Sequence, residues 1–119
     1  MPNGDAHITI KDLRTRIGKF VEDRDWKKYH DPKNLAEAIC IEAAELLEVF
    51  QWVSVDEALR QIGDPSKLER VKEELADVLV YCFSLANVCD IDVADAVVNK
   101  LKKNNSKYPI EKFRGRACL

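Results

Sequence analysis

EELADVLVYCFSLANV, residues 73–88, decides the fold. Wound as a helix, the run from Leu75 to Val88 is apolar nearly all round, with Val78, Leu79, Val80, Tyr81, Phe83 and Leu85 leaving little polar surface. A helix apolar on every side has to be covered on every side. That is hard to arrange within 119 residues, so the run predicts an oligomer with a helical interface. Nothing in the chain alternates with period two, and only four glycines and four prolines punctuate it, so the fold class is all-α.

Working outward, Asp64 and Pro65 open this helix as N-cap and first-turn proline, and it runs to about Val88. Before it, Ser54 and Glu57 fit a capping box for a short helix that stops at Gly63. Further back, a second long helix spans about Asn34 to Trp52, and Pro32 marks the break before it. Thr9 is the N-cap of a first helix, apolar at Leu13, Ile17, Phe20 and Val21 and reaching about Asp25. After residue 88, Asp92 caps a fourth long helix that ends near Asn105, and the tail from Ile110 reads as irregular. Brief connections between long helices predict a four-helix bundle, with residues 1–119 forming one domain.

Charge removes several functions. Lys and Arg number 19 against 21 Asp and Glu, a formal net of −2, so no whole-chain field attracts nucleic acid or an acidic membrane. No apolar run approaches the roughly 20 residues of a membrane span, and MPNGDAHITI lacks signal-peptide order, so the reading is cytoplasmic. Cys40, Cys82, Cys89 and Cys118 show no C-x-x-C spacing and read as packing residues.

The acids in IEAAELLEVFQW, residues 41–52, break the amphipathic rule. At roughly 100° per residue, Leu35, Leu46, Val49 and Val53 surround Glu42, and Glu45 stands close by. Glu37 and Glu48 fall on the flank. On the residue 73–88 helix, Val71, Val78, Tyr81, Leu85 and Val88 cluster about Glu74, with Asp77 one turn along on the same side. Two i, i+3 acid pairs embedded in apolar stripes, once facing each other, put four carboxylates in one pocket. Their repulsion and desolvation call for a cation. Oxygen ligands without His or Cys select Mg²⁺, with Mn²⁺ as the alternative, over zinc or a di-iron centre. A base accompanying bound phosphates needs a flat apolar slot, for which Trp26, Trp52 and Tyr81 are candidates, although each also suits plain core packing.

These residues, within RDWKKYHDPKNLAEAICIEAAELLEVFQW and EELADVLVYCFSLANVCDIDVADAVVNKLKKNNSKYP, resemble the MazG-like all-α nucleotide pyrophosphohydrolases, most of all the dCTP pyrophosphatase branch. The resemblance spans about residues 10 to 116. It implies a helical-bundle oligomer, a homodimer or homotetramer, that hydrolyses a nucleoside triphosphate to monophosphate and pyrophosphate with Mg²⁺. It implies Glu42, Glu45, Glu74 and Asp77 as metal ligands, with Glu45 or Glu42 as catalytic base. Lys100 and Asn104, one turn apart, become contacts to phosphate and sugar, and His30 and Asn34 match positions at the entry to the second helix. Taken alone, Asn34 serves as readily as an N-cap. Ile17 stands where animal members of the branch carry a base-pocket His, so dCTP or a modified dCTP is the expected substrate with less force than the reaction itself. The expected role is cleaning of the nucleotide pool. The competing expectation is a non-catalytic, metal-stabilised helical module that senses nucleotide or binds a partner; pyrophosphate release with and without Mg²⁺ separates the two.

Overall fold

The computed structural model describes residues 3–117, and among them every regular element is helical. Helix α1 is Ile10–Asp23, α2 Pro32–Val49, α3 Val55–Gln61, α4 Pro65–Cys89, α5 Val93–Lys107 and α6 Ile110–Phe113, with a 3-10 turn at Lys27–Tyr29. Local chemistry sets most of the starts. Thr9 and Ser54 each form a reciprocal capping box, with Asp12 and Glu57 respectively. Asp64 caps α4 ahead of Pro65, and Asp92 caps α5 by accepting from the Asp95 N–H.

Several boundaries differ from expectation. Helix α2 begins at Pro32, because Asp31 is its N-cap and accepts from the Asn34 N–H at 2.9 Å. Proline is excluded from helix interiors but favoured in the first turn, so Pro32 starts the helix it was read as separating from the preceding loop. Asn34 is therefore not the cap. Helix α2 also ends at Val49, and Trp52 lies beyond it with a left-handed backbone, φ +70°. Asp25, likewise at φ +52°, falls outside α1. The tail is not wholly irregular: Pro109 and Ile110 carbonyls accept from Lys112, Phe113 and Arg114 N–H groups, and Tyr108 packs edge-on against Phe113 with ring centroids 5.1 Å apart. Cys40 and Cys89 are exposed, contrary to the packing role expected of them, while Cys118 lies outside the described residues.

Helices α2 and α4 form the main packed pair, and α1 lies across α4. Among the described residues, Leu35 and Val49 of α2, Val21 of α1 and Ala86 of α4 are the buried apolar ones. A clamp holds α1 in place. The Arg14 guanidinium donates to Asn87 Oδ1 at 2.9 Å and to the carbonyls of Ala86 and Ile91, while Asn87 Nδ2 returns a bond to the Arg14 carbonyl at 3.1 Å. The cation thus meets the C-terminal end of α4, where the helix dipole is negative.

Helix α5 buries no side chain. Much of the apolar surface is open, including Leu75 and Leu79 on α4, Val97, Val98 and Leu101 on α5, and Val55 and Leu59 on α3. A compact protein of this mass exposes roughly 6,600 Å², whereas this chain exposes 9504 Å². Its radius of gyration is 17.4 Å, against about 13.5 Å for a compact domain of this length. The all-round apolar character of residues 75–88 is therefore not covered within one chain.

Candidate functional site

The packing of α2 on α4 brings the two acid pairs together. One carboxylate oxygen from each of Glu42, Glu45, Glu74 and Asp77 can be chosen so that all four lie within 4.8 Å of one another. Glu42 and Glu74 are half-buried at the helix interface, whereas Glu45 and Asp77 are exposed at its edge. Spacing explains the division: three residues turn a helix about 60° short of a full turn, so one acid of each pair faces the neighbouring helix and the other its rim.

The electrostatics are unbalanced. Burial, followed by hydrogen bonding to Glu45 and the charges of Glu45, Asp77 and Glu74, pushes the Glu42 carboxyl up from 4.5 to about 7. Glu74 is also raised, first by burial and then by Glu45 and Asp77, with Arg70 opposing. Among the described residues no ion pair reaches any of the four acids, since Lys19–Asp23, Lys28–Asp25, Lys33–Glu37 and Lys72–Glu69 all lie elsewhere. Glu42 Oε2 and Glu74 Oε2 are buried without a hydrogen-bond partner. Orphaned carboxylate oxygens converging from two helices suit a hard divalent cation, and this donor set could hold one.

The other expected site residues are more dispersed. Tyr81 follows Asp77 by one turn on α4 and is half-buried, with its ring 6.4 Å from that of His30. Asn34 is exposed, and its side-chain amide donates to the Tyr29 carbonyl at 3.2 Å. Trp26 packs edge-on against Phe20, centroids 5.7 Å apart. Trp52 is 92% exposed on a backbone conformation that bulky residues rarely adopt. Lys100 is exposed and Asn104 half-buried on α5, and no hydrogen bond or ion pair among the described residues joins either side chain to the acids.

A cavity of about 1140 Å³ opens between α1, the C-terminal half of α4 and the start of α5. His30 lines it together with Lys27, Gly18, Ser84 and Asn87. Sequence reading missed Ser84 and Asn87 because both sit in an otherwise apolar run, and missed Arg14 because its partner is 73 positions away.

Comparison with known proteins gives concordant results. A profile of the MazG-like family matches residues 38–117. The chain is 40% identical over 110 residues to dCTP pyrophosphatase 1 of Mus musculus, covering 92% of this chain and 65% of that protein. It is 39% identical over 101 residues to dCTP pyrophosphatase 1 of Homo sapiens, covering 85% and 59% respectively. The chain thus spans less than two thirds of the length of these relatives. A crystal structure of a pyrophosphatase from Archaeoglobus fulgidus superimposes with a TM-score of 0.78 at 44% identity, covering 84% of this chain and 92% of that one.

Proposed function

The chain belongs to the MazG-like family, and from that premise we propose that it is a nucleoside triphosphate pyrophosphohydrolase, converting a (deoxy)nucleoside triphosphate and water to the monophosphate and pyrophosphate. The observation that carries the reading is the meeting of Glu42, Glu45, Glu74 and Asp77 across α2 and α4, with two buried oxygens lacking partners. The relatives' dCTP pyrophosphatase names and the Archaeoglobus pyrophosphatase support the same chemistry. dCTP or a modified dCTP is the candidate substrate, and cleaning the nucleotide pool the role, which puts the reaction in the cytoplasm. No helix of the described residues is long and apolar enough to cross a membrane.

Glu42, Glu45, Glu74 and Asp77 would hold Mg²⁺, or Mn²⁺ in its place. The ion, when bound, supplies charge neutralisation for the triphosphate oxygens and a more acidic water. The water oxygen bonds to the α-phosphorus as the bond from that phosphorus to the α,β-bridging oxygen breaks, and pyrophosphate departs. Glu45, exposed at the rim, takes the water's proton as general base. Glu42 holds its place beneath, and its elevated affinity for a proton falls once a cation shares the pocket. Tyr81 and His30 stand along the way to the cavity, Trp26 and Asn34 flank the start of α2, and Trp52 follows its end. Lys100 and Asn104 contact phosphate and sugar. The open faces of α3, α4 and α5 are covered in a homodimer or homotetramer, which completes the helical bundle and brings α5 to the site.

The test is product analysis on a panel of canonical and 5-modified nucleoside triphosphates, with Mg²⁺ present and absent and Glu42→Gln as control. Monophosphate and pyrophosphate from a subset, lost without the metal and in the variant, is the expected result. No product from any member would sink the proposal.

A further inference from the structure

We infer that Ser84 reads the base of the nucleotide, from the cavity between α1, α4 and α5, two turns along α4 from Asp77. The inference rests on the pyrophosphohydrolase reading above and extends it to a residue outside the metal centre.

Ser84 is 4% exposed, lines the cavity between α1, α4 and α5, and leaves its Oγ without a hydrogen-bond partner. A serine within a helix ordinarily returns its hydroxyl to a carbonyl one turn back. Ser84 does not, and a buried hydroxyl left unpaired is unfavourable unless a partner arrives. Its placement on α4 shows where that partner comes from. It stands seven positions on from Asp77, which puts both on one line of the helix, about 10.5 Å apart along the axis. Tyr81 lies between them, with the His30 ring beside it, and His30 lines the same cavity. A triphosphate held at the acids therefore runs its sugar past Tyr81 and His30 and delivers its base to the depth of Ser84.

Of the polar side chains lining the cavity, Asn87 and Arg14 are engaged with each other. Asn87 spends its side-chain oxygen and nitrogen on Arg14, and Arg14 spends its guanidinium on Asn87 and two carbonyls. Ser84 is thus the buried group on the α4 wall whose hydroxyl is left without a partner, while His30 and Lys27 line the cavity from outside that helix. A hydroxyl both donates and accepts, so it can meet an amino or a carbonyl edge but gains nothing from a base that has neither.

The experiment is a cycle between enzyme and substrate, using the full chain with Mg²⁺: wild type and Ser84→Ala, each with the four common deoxynucleoside triphosphates and a triphosphate carrying an apolar base isostere. We expect Ser84→Ala to lower kcat/KM for the preferred nucleotide about tenfold, mostly through KM, and to leave the isostere unaffected. The nucleotide-free variant should melt no lower than wild type, because it loses a hydroxyl that has no partner. Equal losses for polar and apolar bases, or no loss for any, would overturn the role of Ser84 while leaving the hydrolase intact. A wild type inactive on every triphosphate would overturn the underlying function and this inference with it.

Discussion

Replacing Glu42 with Gln should stabilise the metal-free protein, and by an amount that depends on pH. The Glu42 carboxyl sits at about 7 in the folded chain, above its ordinary 4.5, first because it is buried and then because three other acids face it. Below pH 4.5 the carboxyl is neutral both folded and unfolded, and no penalty arises. Between 4.5 and 7 the unfolded chain releases a proton that the folded chain keeps, so stability falls as pH rises, and above 7 the full penalty is present. A carboxyl moved from 4.5 to about 7 represents about 3 kcal/mol if sealed from water. Solvent at the exposed Glu45 and Asp77 beside it reduces this to about 1–2 kcal/mol. Urea unfolding in chelator at fixed protein concentration, at pH 4.5 and pH 8, should show Glu42→Gln indistinguishable from wild type in acid and more stable by that margin in base. Adding Mg²⁺ at pH 8 should raise the midpoint of wild type far more than that of the variant. A variant less stable than wild type at pH 8 without metal, or a difference that ignores pH, would refute the claim that the acids form a strained cation site.

Four further outcomes follow from the geometry. Arg14→Ala should cost about 2 kcal/mol in urea unfolding, and combining it with Asn87→Ala should cost less than the two separately, because they share one clamp. Gly18→Ala should raise stability by about 0.5–1 kcal/mol, since an added Cβ would meet nothing nearer than Asn87 Nδ2 at 3.7 Å; a loss would mean that α1 packs more tightly there than the structure shows. Sedimentation should report a dimer or larger, and Leu101→Glu on the open face of α5 should shift it toward monomer. Chelation should abolish turnover, with Mg²⁺ or Mn²⁺ restoring it and Ca²⁺ doing so poorly because of its larger, looser coordination.

What the sequence disclosed and what it withheld divide along the range of the interactions. The capping residues Thr9, Ser54, Asp64 and Asp92 bond to N–H groups two or three positions on, so spacing alone locates them. The same rule misplaced the start of α2, because Asp31 and Asn34 are both good caps, and only the order Asp31–Pro32 favours the first. The end of α2 was overrun since Phe50, Trp52 and Val53 continue the apolar pattern, whereas the backbone turns left-handed at Trp52. The acid pairs were legible as anomalies on two helices. That they meet is a property of how α2 lies on α4, which no local pattern encodes. The Arg14–Asn87 clamp and the cavity at Ser84 belong wholly to that longer range.

The two tryptophans stand in contrasting surroundings, Trp26 edge-on against Phe20 and 42% exposed, Trp52 92% exposed. Indole emission shifts to shorter wavelength when water is removed from the ring, so the protein carries its own optical reporter. Its spectrum in dilute solution should be dominated at the red edge by Trp52, and any event that covers the turn after α2 should move that component alone. With Trp26 replaced by Phe, the remaining signal would follow closure of that turn in real time, without a label and without reference to turnover.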